Sequence, residues 1–107
     1  MSINKPKSNS LEKLLNQISG RWTMYILLIL DRNGSLRFGE LGRKVEGIST
    51  KVLTERLRKL EAIGVVYRDY KATIPPEVTY SLTERGRELS RTLDPLCELA
   101  SRWYDRL

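Results

Sequence analysis

Two glycines, Gly47 and Gly64, bracket a stretch whose leucines recur at 53, 57 and 60. That spacing puts three apolar side chains on one face of a helix. Ser49 stands at its start as a helix cap, and Gly64 closes it after Ile63. A helix of about 15 residues, spanning about 22 Å, is predicted. With the leucines buried, Lys51, Glu55, Arg58 and Ala62 fall on the opposite face, flanked by Thr54 and Lys59. Such a segment must pack one side on a core while offering a polar, cationic side outward.

The residues after Gly64 narrow the fold further. Val65 to Ala72 is rich in β-branched and aromatic residues, and Val78, Tyr80 and Leu82 alternate along a second strand. Between them, Thr73 to Glu77 holds two prolines, which suits a hairpin tip and not a ladder. Ahead of Gly47, Ser10 is read as the cap of a first helix carrying Leu11, Leu14, Leu15 and Ile18, stopped at Gly20. A strongly apolar second helix runs from about Arg21 to Asp31 and ends in the Asn33-Gly34 turn. A short extended piece, Ser35 to Arg37, precedes a weak helix over Phe38 to Val45. Gly39 and Gly42 cost that helix about 1 kcal/mol each, so packing must hold it. Thr83 caps a last helix, in which Asp94-Pro95 predicts a kink or break.

The order helix, helix, short strand, helix, helix, hairpin, helix describes a mainly α chain with a small β-hairpin (α+β). Its pattern is a winged helix-turn-helix with additional N- and C-terminal helices. Residues 1–10, with Lys5, Pro6 and Lys7, read as a flexible basic tail, and residues 11–107 as one domain.

Chemistry is constrained by what is scarce. Histidine is absent and Cys97 is the single cysteine among 107 residues. No Ser-His or Cys-His pair and no Cys/His zinc site can be assembled, so no enzyme, metal or cofactor is expected. The net charge of +6 is concentrated: Arg37 to Lys71 holds nine basic residues against five acidic ones. A basic helix preceded by a glycine turn and followed by a hairpin bearing Arg68 and Lys71 points to double-stranded DNA. Ser49, Thr50, Lys51, Thr54 and Arg58 are the expected major-groove residues. Arg37, Arg56, Arg68 and Lys71 are expected at the backbone or wing. Glu55 either accepts from a cytosine amino group or pairs with Lys59 at i,i+4, and the pair is favoured. An alternative reading is a protein-interaction module whose basic face docks an acidic partner.

A second apolar seam marks the chain ends. Leu89, Leu93, Leu96, Ala100, Trp103 and Leu107 are spaced by four and three residues in turn, as in a helix packing on another helix. With Leu11, Leu14, Leu15 and Ile18 they predict a homodimer joined through both terminal helices. Trp22 and Tyr25 read as core, and no small-molecule effector is assigned. No apolar run approaches the ~20 residues that a bilayer span needs. Residues 1–10 lack the apolar run of a secretory leader, so a cytoplasmic location is expected.

Several of these segments together resemble the HxlR-type regulators of the MarR-like superfamily. They are Gly20-Arg21-Trp22-Thr23, Arg37-Phe38 with Glu40-Leu41, Gly47-Ile48-Ser49, Leu53-Thr54 with Arg56-Leu57 and Leu60-Glu61, and Gly64-Val65-Val66 with Arg68. Pro75-Pro76 with Val78 and Tyr80-Ser81-Leu82-Thr83, then Gly86 and Leu89, complete the set. The resemblance implies a dimeric winged-helix repressor or activator, with the helix from Ser49 in the major groove and the hairpin near the minor groove. Some members of that family sense oxidants through a cysteine upstream of the tryptophan, but this chain has Asn9 and Ser10 there. Cys97, beside Leu93 and Leu96, reads as a small buried hydrophobe.

Overall fold

A computed structural model describes residues 9–105. Five helices and three strands run in the order α1 (Asn9–Ile18), α2 (Arg21–Asn33), β1 (Leu36–Arg37), α3 (Phe38–Lys44), α4 (Thr50–Ala62), β2 (Val66–Lys71), β3 (Glu77–Leu82) and α5 (Glu84–Tyr104). The helical stripes read in the sequence converge on one core. Ile26, Leu27 and Leu30 of α2 meet Leu41 of α3 and Leu53, Leu57 and Leu60 of α4. Leu36, Val66, Tyr80 and Leu82 close the core from the sheet, and Leu93 closes it from α5.

The strands form one antiparallel sheet in the order β1-β3-β2. The extended piece before α3 is therefore a sheet strand, with Leu36 opposite Tyr80 and Arg37 opposite Thr79. In the hairpin, Val66 pairs with Leu82, Arg68 with Tyr80, and Lys71 with Glu77. By alternation, Val66, Arg68 and Tyr70 share the face that carries the buried Tyr80 and Leu82.

The end of α4 explains how helix hands over to wing. Gly64 N–H donates to the Glu61 carbonyl at 3.0 Å and Val65 N–H to the Leu60 carbonyl at 3.1 Å. These are the two bonds of a Schellman termination, which needs the left-handed conformation seen at Gly64 (φ 80°). The chain then enters β2 directly. Thr83 caps α5, its hydroxyl oxygen accepting from Gly86 N–H at 3.0 Å.

Four expectations are corrected. Asn9 and Ser10 are already helical, so Ser10 is not the cap of α1. No break occurs at Pro95: α5 is continuous from Glu84 to Tyr104. A proline removes one N–H and crowds one carbonyl, and the surrounding turns, anchored by buried Ser90 and Leu93, keep the helix whole. The Glu55–Lys59 pair does not form: among the described residues Arg37–Glu77 is the ion pair present, and Lys59 lines a cavity on another flank of α4. An exposed pair of that kind is worth only about 0.2–0.5 kcal/mol, too little to hold two long side chains together. Tyr25, read as core, is 49% exposed, whereas Trp22 packs against the core.

Candidate DNA-binding surface

The surface begins at the first turn of α4. Ser49 Oγ accepts from Val52 N–H at 3.1 Å, so its own proton is left to donate outward. Thr50 and Lys51 beside it are exposed. Along the helix Glu55, Arg58 and Ala62 line the opposite side from the leucines, and Glu55 and Arg58 are exposed, so the polar face lies open as the spacing indicated. Thr54 is half-buried, and its hydroxyl donates to the Thr50 carbonyl at 2.9 Å. That bond fixes the side chain, leaving its methyl and an acceptor lone pair to meet a partner.

Between α4 and the wing runs a cleft. Thr54, Arg58 and Glu61 line it from the helix, Arg68 from β2, and Phe38 and Tyr80 also contribute. The rings of Phe38 and Tyr80 lie 6.5 Å apart at 54°. The cleft thus joins Arg58, expected in the major groove, to Arg68, expected at the backbone. The Arg68 guanidinium also sits 5.9 Å from the centre of the Tyr70 ring.

The other expected residues fall elsewhere. Arg37 is exposed but engaged, its Nη2 donating to Glu77 Oε1 at 2.7 Å across the sheet. Lys71 is exposed at the distal end of β2, opposite Glu77. Arg56 is not brought to the cleft, and is half-buried on the flank facing α1 and α2. Glu61, Phe38 and Tyr80 were not singled out by sequence reasoning. For Tyr80 the signal was available, because strand alternation puts it on the face shared with Arg68. Tyr67, Tyr70 and Ile74 are also exposed on the wing, Ile74 fully so at its tip.

The terminal helices show which of their apolar residues the chain covers itself. Ile18 and Leu93 are buried within the chain and Leu89 packs against its core. Leu11, Leu14, Leu15, Leu96, Ala100 and Trp103 are exposed, Leu15 by 50% and Trp103 by 61%. Leu107 and residues 1–8 lie outside the described residues. Cys97 is half-buried beside Arg32, Glu98, Ser101 and Arg102. Among the described residues, no helix is long and apolar enough to cross a membrane.

The profile of the HxlR-like helix-turn-helix family matches residues 17–107. The chain belongs to that family. This HxlR-like chain is 41% identical over 106 residues to the HTH-type transcriptional regulator YtcD of Bacillus subtilis, covering 98% of itself and 83% of the relative. It is 40% identical over 89 residues to an HTH-type regulator of Methanothermobacter thermautotrophicus, covering 83% and 67%. A crystal structure of a YtcD regulator superposes with a TM-score of 0.82 at 38% identity, over 99% and 100% of the two chains. A MarR-family regulator of Enterococcus faecalis gives 0.81 at 35% identity, over 97% and 94%. The fold is therefore the winged helix-turn-helix of HxlR-type transcriptional regulators, and the protein is a DNA-binding regulator and not an enzyme.

Proposed function

We propose that this HxlR-like protein binds an inverted-repeat operator as a homodimer, with α4 in the major groove and the β2–β3 wing over the adjoining backbone. What carries the reading is the continuity of the surface: the exposed face of α4 and Arg68 of the wing border one cleft. Ser49, Thr50, Lys51, Thr54 and Arg58 read or seat the bases, while Arg68 and Lys71 hold phosphates. Arg37 joins them by exchanging Glu77 for a phosphate, an exchange that costs little because the exposed pair is weak.

The dimer rests on a different observation. A small chain that leaves Leu11, Leu14, Leu15, Leu96 and Trp103 in water on its two terminal helices has apolar area left to cover. A second copy meeting it through α1 and α5 does so with two-fold symmetry. The two recognition helices then lie about 34 Å apart, in successive major grooves. Acting on DNA, the protein works in the cytoplasm.

The test is binding to its own upstream DNA and to random duplex over a salt series. Affinity that falls steeply with salt, and a protected two-fold footprint on the upstream DNA, are expected. Salt-independent or absent duplex binding would return the basic face to the docking of an acidic protein.

A further inference from the structure

On another flank of α4, away from the wing, lies a cavity of about 360 Å³ between the end of α1, the start of α2 and the second half of α4. Among the described residues two cations line it, Arg56 and Lys59, and no acidic residue does. Asn16, Ser19 and Thr23 add polar groups. Neither cation has an ion-pair partner among the described residues.

Thr23 is the telling member. It is 4% exposed, and among the described residues its hydroxyl has no hydrogen-bond partner. Thr23 stands in the first turn of α2, where the residue four back, Ser19, lies outside the helix, and its side chain lines the cavity. Among the described residues Ser90 Oγ alone is fully buried without a partner, so the Thr23 oxygen opens to solvent in the cavity, where a ligand can take the place of water. The first turn of α2 adds to the field: Gly20 supplies no side-chain cap, and the turn carries no acidic residue. The uncompensated N-terminus of this 13-residue helix therefore contributes partial positive charge beside two full ones.

We propose that this cavity binds a small phosphorylated metabolite, its phosphate held by Arg56, Lys59 and the Thr23 hydroxyl. A phosphate monoester carries a charge of about −1.5 to −2 near neutral pH, which matches two cations and a helix N-terminus better than a monovalent carboxylate does. The cavity leaves room for an organic remainder, and Asn16 and Ser19 offer it hydrogen bonds. The site does not rest on the operator reading, because Arg58 and Arg68 line a separate cleft. It does place a ligand on the same helix that faces DNA.

The experiment is an amide-resolved NMR titration of the full chain with inorganic phosphate, glycerol phosphate and acetate, at constant ionic strength and without DNA. Saturable shifts at Ser19, Thr23 and the Arg56 side chain are expected with the two phosphates. Lys59→Gln should weaken binding roughly tenfold and Thr23→Val several-fold, while Arg58→Ala leaves it unchanged. Should Thr23→Val fail to fold, Thr23→Ser keeps the hydroxyl and must bind as the native chain does, and Lys59→Gln, an exposed position, carries the comparison. Shifts that never saturate, equal shifts with acetate, or saturable binding indifferent to Lys59→Gln would overturn the proposal.

Discussion

The Thr83 hydroxyl donates to the Gly64 carbonyl at 2.6 Å while accepting from Gly86 N–H, so one side chain caps α5 and ties it to the end of α4. The Thr83 N–H reaches the Val65 carbonyl at 3.1 Å beside it. Removing the hydroxyl costs a helix cap and leaves a part-buried carbonyl short of a donor. Thr83→Ala should lower stability by about 1–2 kcal/mol in urea unfolding, and Thr83→Ser should retain most of it.

Gly86 belongs to the same junction and is the stricter position. A Cβ there would stand 2.1 Å from the Val65 carbonyl oxygen, inside any permissible contact. The obstacle is backbone and cannot rotate away. Gly86→Ala should cost at least about 2 kcal/mol, seen as a lowered denaturation midpoint with an unchanged slope. An alanine variant as stable as the native chain would show that α5 does not approach the Gly64-Val65 turn this closely.

Ser90 predicts the opposite sign. Its side chain is fully buried on α5, and among the described residues its hydroxyl has no hydrogen-bond partner. Ser90→Ala deletes an unsatisfied polar atom and leaves almost no void. Stability should stay level or rise by up to about 1 kcal/mol, measured by the same unfolding curves.

For DNA, Arg58 and Lys71 should separate by signature. Arg58→Ala should cost about 1–3 kcal/mol on the operator and much less on random duplex, if the guanidinium reads a base. Lys71→Ala should weaken both alike and reduce the log–log salt slope by about 1. Fluorescence anisotropy at several salt concentrations resolves the two.

The dimer prediction uses only residues that the chain leaves uncovered. Leu15→Asp and Trp103→Asp should each drive the protein to monomer at micromolar concentration in sedimentation velocity, with the helical content kept. Operator affinity should fall with them, since a monomer meets one half-site alone.

Much of this was legible because the fold is punctuated. Gly47, Gly64 and the Pro75-Pro76 tip fix where elements stop, and the 53, 57, 60 spacing fixes which side of α4 is buried. The terminal helices were harder. A single apolar stripe does not say how much of itself the chain will cover, and Ile18, Leu89 and Leu93 turned inward while Leu96 and Trp103 did not. Of the kink or break expected at Pro95, the break does not occur, because one lost N–H is outweighed by the turns on either side. The cavity around Thr23 left no trace in the sequence at all. Its members come from three helices, and only their packing brings Arg56 and Lys59 beside Thr23.

With β3 in the centre of the sheet, β2 runs along an open border, its outer amides and carbonyls unclaimed by any strand among the described residues. An uncovered border of this kind invites a neighbour to extend the sheet indefinitely. Arg68, Asp69 and Lys71 put three charges into its six residues. Arg68 and Lys71, the two proposed to meet phosphates, together with Asp69 should thereby keep copies of the protein from stacking into insoluble ribbons when no duplex is at hand.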